Sequence, residues 1–201
     1  MPDSIISLYQ RHSEEWDRLR GRSLFERPWL DRFLALIGPA PEIIDLGCGS
    51  GEPLAAYLIG RGVAMTGIDS APALIALCRQ RFAAHRWIVA DMRALPVTAT
   101  FDGILAWDSF FHLNHDDQRR MFASFGRLAK PGAPLLFTSG PSHGKAIGNM
   151  WGEPVYHASL SSDEYHARLS ENGFTVIDHR IEDPECGKHT VWLARRLTDQ
   201  A

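Results

Sequence analysis

The length, composition and charge of the chain limit the classes of protein to which it can belong. Its 201 residues are 45% hydrophobic and carry a formal net charge of −3, which suits one domain with a single core and offers no basic stripe for a nucleic-acid backbone. The N-terminus lacks the basic start and long apolar run of a signal peptide, and no later run is long enough to span a bilayer. We therefore expect a cytoplasmic protein that binds neither nucleic acid nor a membrane.

The cysteines indicate no covalent or metal framework. Cys48, Cys78 and Cys186 are widely separated, and an odd number of cysteines without a partner motif argues against disulfides. Cys186 and His189 have the C-x-x-H spacing that some zinc sites use, but no second pair of ligands lies near them in the sequence. We predict no metal site.

The N-terminal residues predict two amphipathic helices. Apolar side chains between Ile5 and Leu19 recur at helical spacing and include Tyr9 and Trp16, and a second helix begins near Pro28. An aromatic stripe at helical spacing more often packs a core than lines a site. A purely packing role and a lid over a binding site both remain open.

The most informative segment is EIIDLGCGSGEP, from Glu42 to Pro53. Its apolar run, Ile43 to Leu46, is typical of a strand that is buried on both faces. Gly47, Gly49 and Gly51 then permit unusual backbone angles and let a ligand approach the main chain closely. A strand followed by such a turn and a helix start indicates a ligand that carries a nucleoside.

Two nucleotide ligands fit a turn of this kind. A dinucleotide fingerprint requires a third glycine where this chain has Glu52. A carboxylate at that place would repel a pyrophosphate, but it is compatible with an amino acid that carries a sulfonium. The charge pattern favours S-adenosylmethionine over NAD.

The remaining sequence alternates strands and helices until its last third. Helices are predicted at 53–60, from Pro72 with Ser70 as its cap, from Asn114, and from Ser161 to Gly173. Further strands are predicted at 63–69, 87–90, 101–107, after Gly132, 174–182 and 189–197. This alternation is typical of an α/β, doubly wound and mostly parallel sheet. Residues 140–159 show no period and predict a long loop over the sheet edge.

These motifs, in this order, resemble those of the class I S-adenosylmethionine-dependent methyltransferases. DLGCGSG, from Asp45 to Gly51, resembles the first motif of the family. The later pieces are GIDS at 67–70, ADMRALP at 90–96, FDGILAWDSFFHL at 101–113 and LAKPGAPLLFTSG at 128–140. The likeness covers most of residues 42–140.

The resemblance implies a seven-stranded sheet, completed by an antiparallel C-terminal strand pair, and an N-terminal helical lid. It implies one methyltransferase domain over residues 1–201. Its parts would be the lid at 1–40, a cofactor-binding core at 41–140, and an acceptor-side loop, helix and C-terminal hairpin at 141–201.

The resemblance also implies roles for single residues. Asp69 would bind the ribose hydroxyls and Asp91 the adenine amino group, although each could instead be an ordinary turn or loop carboxylate. Asp45 would orient the glycine turn or bind the methionine amino group. The predicted cofactor-binding residues are Tyr9, Trp16, Asp45, Gly47, Cys48, Gly49, Asp69, Ser70, Asp91, Met92 and Trp107.

Catalysis needs few dedicated groups, because a sulfonium already carries a good leaving group and positioning of the acceptor lowers the barrier. If a general base exists, His112 is the first candidate, since it follows the fourth strand and imidazole titrates near neutral pH. The alternative is a structural histidine. The predicted acceptor-binding residues are Asp108, Phe111, Trp151, Tyr156 and His157.

Two departures from better-defined subfamilies limit the acceptor. The segment from Trp107 to Phe110 differs from the Pro-Pro-aromatic motif of enzymes that methylate amino groups of nucleic acids. Thr138 to Gly140 stands where catechol-type enzymes need part of a magnesium site. We expect methyl transfer from S-adenosylmethionine to a small-molecule acceptor. A non-catalytic S-adenosylmethionine-binding protein and an NAD-linked oxidoreductase are the alternatives, and the oligomeric state is open.

Overall fold

The computed structural model describes residues 2–198, with side chains from residue 5 onwards. The helices are α1 (Pro2–Arg11), α2 (Ser13–Leu19), α3 (Arg27–Leu34), α4 (Leu54–Gly60), α5 (Pro72–Arg81), α6 (His115–Leu128) and α7 (Ser162–Glu171). The strands are β1 (Glu42–Leu46), β2 (Ala64–Asp69), β3 (Arg86–Val89), β4 (Gly103–Ala106), β5 (Pro134–Ser139), β6 (Gly144–Met150), β7 (Glu153–Ser159), β8 (Phe174–Asp183) and β9 (His189–Arg196). Within this range, no helix is both long enough and apolar enough to cross a bilayer.

The central sheet confirms the predicted doubly wound fold. Among residues 2–198 it has seven strands in the order β3-β2-β1-β4-β5-β9-β8. Strands β1 to β5 pair in parallel, while β9 runs antiparallel to both of its neighbours. Every residue of β4 and β5 is buried, as expected for strands covered on both faces. From β1 the chain continues to β2 and β3 on one side of the sheet and to β4 and β5 on the other. This reversal of the strand order places a crevice at the carboxyl end of β1.

The N-terminal helices do not form one unit. Trp29, Leu30 and Phe33 of α3 are almost fully buried and belong to the apolar core on one face of the sheet. Gly103 of β4 permits this packing, because a Cβ there would lie 2.6 Å from the Phe33 ring. Helices α1 and α2 lie instead near the carboxyl edge of the sheet, where Tyr9 and Trp16 meet the ends of its strands.

The prediction of a long loop over residues 140–159 is wrong. Strands β6 and β7 form an antiparallel hairpin, in register from Gly144 opposite Ser159 to Met150 opposite Glu153. Most of β6 is exposed or partly exposed, so its sequence carries no apolar alternation from which a strand could be predicted. Val155 of β7 packs against apolar side chains of α1, and the hairpin therefore meets the N-terminal helices.

The predicted helix starts were only partly correct. Asn114 and Ser161 cap α6 and α7 through side-chain hydrogen bonds from Asp117 N and Glu164 N, as their sequences indicate. Ser70 does not cap α5: the cap position is Ala71, whose own side chain makes no such bond. The carboxylate of Asp69 accepts a hydrogen bond from the N–H of Ala71 itself, which orders the turn before the helix.

Candidate active site

A cleft opens where the carboxyl ends of β1, β2 and β4 meet, and side chains of α1 and α2 form part of its wall. It contains about 1010 Å³ of empty space, part of it open to solvent, which is large enough for a nucleoside with an amino-acid arm. All predicted cofactor-binding residues line this cleft: Tyr9, Trp16, Asp45, Gly47, Cys48, Gly49, Asp69, Ser70, Asp91, Met92 and Trp107.

The glycine turn after β1 accepts no side chain at two positions. Gly47 has a φ of +84°, and a Cβ there would lie 2.2 Å from the Cβ of Ser109. Gly49 has a φ of +55°, and its Cβ would lie 2.6 Å from the Trp16 ring. Glycine alone combines this backbone with such close approach. The turn is therefore held between α2 and the end of β4.

Asp69, at the end of β2, orders the turn through its carboxylate. Oδ2 accepts a hydrogen bond of 2.9 Å from Gly49 N, and Oδ1 accepts one of 2.9 Å from Ala71 N. Burial raises the pKa of Asp69, although these backbone hydrogen bonds oppose the shift. The carboxylate thus orders the turn that leads into α5, and it also keeps lone pairs for hydroxyl donors in the cleft.

Asp45 is the most deeply buried carboxyl group in the lining of the cleft. The residue is 3% exposed, and its Oδ1 has no hydrogen-bond partner among the described residues. Burial, and then the charge of Asp69, raise the pKa of Asp45 to about 8. A buried carboxylate oxygen without a donor is costly, so an ammonium group brought by a ligand would satisfy it. The site therefore fits the amino-acid end of S-adenosylmethionine.

Raising the pH is expected to destabilise the ligand-free protein because of Asp45. The folded state holds a proton that the unfolded chain releases at the ordinary pKa of 3.8, so the free energy of unfolding falls between about pH 4 and about pH 8. Urea unfolding across this range should show a slope that Asp45→Asn reduces. Equal slopes of the free energy of unfolding against pH for wild type and Asp45→Asn would contradict the raised pKa of Asp45.

Asp91 lies in the cleft wall, but Arg93 already engages both of its oxygens. Burial raises the pKa of Asp91, and the hydrogen bonds from Arg93 outweigh it, so the pKa lies below its ordinary value. Asp91 is thus a loop carboxylate whose two oxygens pair with Arg93. Met92 lines the same part of the cleft.

Tyr9 and His112 meet across the cleft. His112 Nδ1 lies 3.0 Å from the backbone oxygen of Tyr156, which can only accept, so Nδ1 carries the proton and Nε2 accepts from the Tyr9 hydroxyl at 3.2 Å. Burial lowers the pKa of His112 to about 4. Burial, followed by the charges of Asp108 and Asp69, raises the pKa of Tyr9. The pair consists of a neutral imidazole and a neutral phenol.

The predicted acceptor residues divide into two groups. Asp108 lines the cleft. The other four lie outside its lining: Phe111, Trp151, Tyr156 and His157. Phe111, next to His112 in sequence, and His157 of β7 contact the His112 ring at centroid distances of 4.9 Å, and Trp151 stacks on His12 of the N-terminal segment.

Sequence reasoning missed Ser109. Its hydroxyl donates to Leu46 O at 2.6 Å, which fastens the end of β4 to the end of β1 directly beside Gly47. A small polar residue directly before two phenylalanines, Phe110 and Phe111, was a signal of this close approach. Arg20, after α2, also lines the cleft and had not been predicted; it donates to Glu26, whose side chain is fully buried.

Comparison with known proteins places this site in a family. A family model described as a methyltransferase domain matches residues 43–132. The chain is 31% identical over 152 residues to an O-methyltransferase of Pyrenophora dematioidea, which covers 70% of the chain. It is 30% identical over 159 residues to a malonyl-[acyl-carrier protein] O-methyltransferase of Paenibacillus sp. (strain JDR-2), which covers 68% of the chain. The chain spans 56% of the length of each relative.

The fold agrees with these matches. Magnesium protoporphyrin IX methyltransferase from Synechocystis PCC 6803, solved with bound S-adenosylmethionine, superposes with a TM-score of 0.75 at 15% identity and covers 97% of this chain and 96% of its own. At 15% identity, this likeness shows the fold alone. The chain thus matches a methyltransferase domain over residues 43–132 and has the fold of the class I S-adenosylmethionine-dependent methyltransferases.

Proposed function

We propose that the chain binds S-adenosylmethionine in the cleft and transfers its methyl group to a small-molecule acceptor. The observation that carries this proposal is the unpaired, buried Asp45 oxygen, which lies beside a glycine turn that only glycine can form. The O-methyltransferase relatives make oxygen the first acceptor atom to test.

Each end of the cofactor has a matching group in the cleft. Asp45 would pair with its ammonium, and the free lone pairs of Asp69 would accept from the ribose hydroxyls. The face of the Trp107 indole can attract the sulfonium cation of the cofactor. When bound, S-adenosylmethionine supplies a methyl group on a sulfonium, open to in-line displacement by the acceptor.

Tyr9 and His112 form a short proton path from the acceptor. The Tyr9 oxygen can take the proton that the acceptor atom loses and give its own to His112 Nε2, whose lone pair is free in the neutral ring. Asp108 and the carbonyl of Tyr156 would stabilise the resulting imidazolium. His112 in this arrangement acts through Tyr9.

Tyr9→Phe is expected to lower kcat by about a hundredfold, in the range for loss of one general acid–base group. The Kd for S-adenosylmethionine should change by less than about threefold, because the aromatic ring remains and only the hydroxyl is lost. Tyr57→Phe on α4 is the matched control, since that hydroxyl bonds to Asp31 outside the cleft lining. Equal kcat values for Tyr9→Phe and wild type would exclude the proton path.

Helices α1 and α2 are proposed as the lid of this site, within one methyltransferase domain. Trp16 lies directly against Gly49, and Arg81 of α5 fixes α2 by donating to both Asp17 oxygens at 2.6 and 2.7 Å. Arg11 and His12 also pair with Glu153 of the hairpin. These contacts support a cover attached to both sides of the cleft. A cytoplasmic location stays a prediction from the sequence.

Mass spectrometry tests the proposed function. The protein is incubated with methyl-deuterated S-adenosylmethionine and a metabolite extract, and a product that gains one labelled methyl group is expected. Thermal shifts with S-adenosylmethionine, S-adenosylhomocysteine and NADH separate the alternatives, because a ligand that binds only the folded state raises its stability. Stabilisation by NADH alone would revive the oxidoreductase, and cofactor binding without any labelled product would favour a non-catalytic protein.

A further inference from the structure

The ring of His189, on β9, lies between two hydrogen-bond acceptors. Nδ1 is 2.8 Å from the backbone oxygen of Cys186, and Nε2 is 3.1 Å from the carboxylate of Asp108. A carbonyl and a carboxylate can only accept, so each ring nitrogen must carry a proton. The geometry therefore requires the imidazolium form of His189.

The surroundings of His189 favour that charge. Its ring stacks on Trp107 at 5.6 Å and packs against Phe25 at 5.3 Å, and aromatic faces attract a cation. Burial lowers the pKa of His189, but the hydrogen bond and charge of Asp108 outweigh it, so the pKa is raised. The titratable and charged groups around His189 and Asp108 include Glu26, Arg20, the Cys186 thiol, Asp183, Tyr9, His112 and His157.

Asp108 is held in one orientation by these contacts. Its backbone has a φ of +49°, its N–H donates to Thr138 Oγ1 at 2.9 Å, and the Thr138 hydroxyl donates back to its Oδ1 at 3.3 Å. The side chain is 34% exposed and lines the cleft together with Tyr9 and His112. A carboxylate fixed in this way keeps free lone pairs towards the cleft.

We propose that His189 is a positioning residue that holds Asp108 as an oriented anion, and that Asp108 binds an acceptor carrying an O–H or N–H donor. This inference rests on the proposed function and extends it to the class of acceptor. Asp108 contacts the acceptor, while His189 acts through Asp108.

Nuclear magnetic resonance of the histidine rings tests the first half without any acceptor. At pH 6.5, the ordinary pKa of histidine, both ring nitrogens of His189 should carry protons in the protein without added ligand. Asp108→Asn should lower the proton affinity of His189 by about tenfold or more. A single N–H tautomer at that pH, or an unchanged titration in the variant, would overturn the assignment.

Kinetics test the second half, with the acceptor that gives the highest turnover in the labelling experiment. Asp108→Asn should raise KM for that acceptor by about tenfold or more, while the Kd for S-adenosylmethionine changes by less than about threefold. For matched analogues in which C–H replaces the O–H or N–H, the KM values of wild type and Asp108→Asn should be equal. An unchanged KM in Asp108→Asn would overturn the proposed acceptor class.

The pH profile separates positioning from mere packing. Wild-type activity should fall as the pH rises through the raised pKa of His189, because the imidazolium is lost. This fall is the basic limb of the pH profile. His189→Gln can still donate to Asp108, so it should lose less activity than His189→Ala and lack this limb. His179→Gln, on β8, is the control and should keep the limb. A limb that persists in His189→Gln would refute the role of His189.

Failure of the proposed function would look different. It would appear as absent binding of S-adenosylmethionine and absent labelled product in the wild type, whereas the ring titration would still decide the charge of His189. Normal binding and turnover combined with unaltered Asp108→Asn kinetics would reject this inference alone.

Discussion

Asp69→Ala is expected to weaken the binding of S-adenosylmethionine by about a hundredfold, equivalent to about 2.7 kcal/mol. The substitution removes the acceptor that holds Gly49 N and Ala71 N, so the glycine turn loses its order. It also removes the group that would receive the ribose hydroxyls, and hydrogen bonds to a charged group contribute about 1.5 to 3 kcal/mol each. Isothermal titration calorimetry with S-adenosylmethionine measures the change.

Asp102→Ala is the matched control for this result. Asp102 also accepts a backbone hydrogen bond, from Glu42 N at 2.9 Å, and it pairs with Lys130, but it lies outside the cleft lining. Its loss should affect stability and leave the Kd within about threefold of wild type. If Asp69→Ala behaved like Asp102→Ala, Asp69 would be a turn residue alone.

Gly47→Ala is expected to have the largest effect on folding. The left-handed backbone at φ +84° costs a non-glycine residue about 1 to 2 kcal/mol. The new Cβ would also lie 2.2 Å from the Cβ of Ser109, and such overpacking typically costs a further 1 to 3 kcal/mol or so. We expect the free energy of unfolding to fall by about 3 kcal/mol in urea denaturation.

Gly62→Ala separates the two causes. Gly62 has nearly the same φ, +85°, but a Cβ there meets nothing within 4 Å, so only the backbone penalty of about 1 to 2 kcal/mol applies. The double variant Gly47→Ala with Ser109→Gly should recover part of the stability lost in Gly47→Ala. Equal losses for the two single glycine variants would show that close packing at Gly47 has no energetic consequence.

The elements with strong local signatures were predictable from the sequence. The buried apolar runs of the parallel strands, the glycine turn at Gly47 and the caps at Asn114 and Ser161 each depend on neighbouring residues, and the structure contains all of them. The cleft followed from the same patterns, because parallel strands end at a common edge. All predicted cofactor-binding residues therefore line it.

The features that depend on distant contacts were not predictable. The hairpin of β6 and β7 has no apolar period, since its register comes from backbone pairing and from contacts with α1. His189 and Asp108 are 81 positions apart in the sequence. The sequence suggested only the C-x-x-H spacing of His189, and the contacts of its ring nitrogens with the Cys186 carbonyl and the Asp108 carboxylate had no sequence signal.

The division between α2 and α3 has a practical consequence for truncation. Gly21, Arg22 and Ser23 form an exposed connection, whereas Phe33 of α3 is fully buried against the sheet. A protease that cuts this connection would separate α1 and α2 from α3 along the chain and leave the core around Phe33 covalently intact. A shortened gene that starts before α3 would encode a folded scaffold with an uncapped entrance, whereas one that starts after α3 would leave a bare apolar surface prone to aggregation.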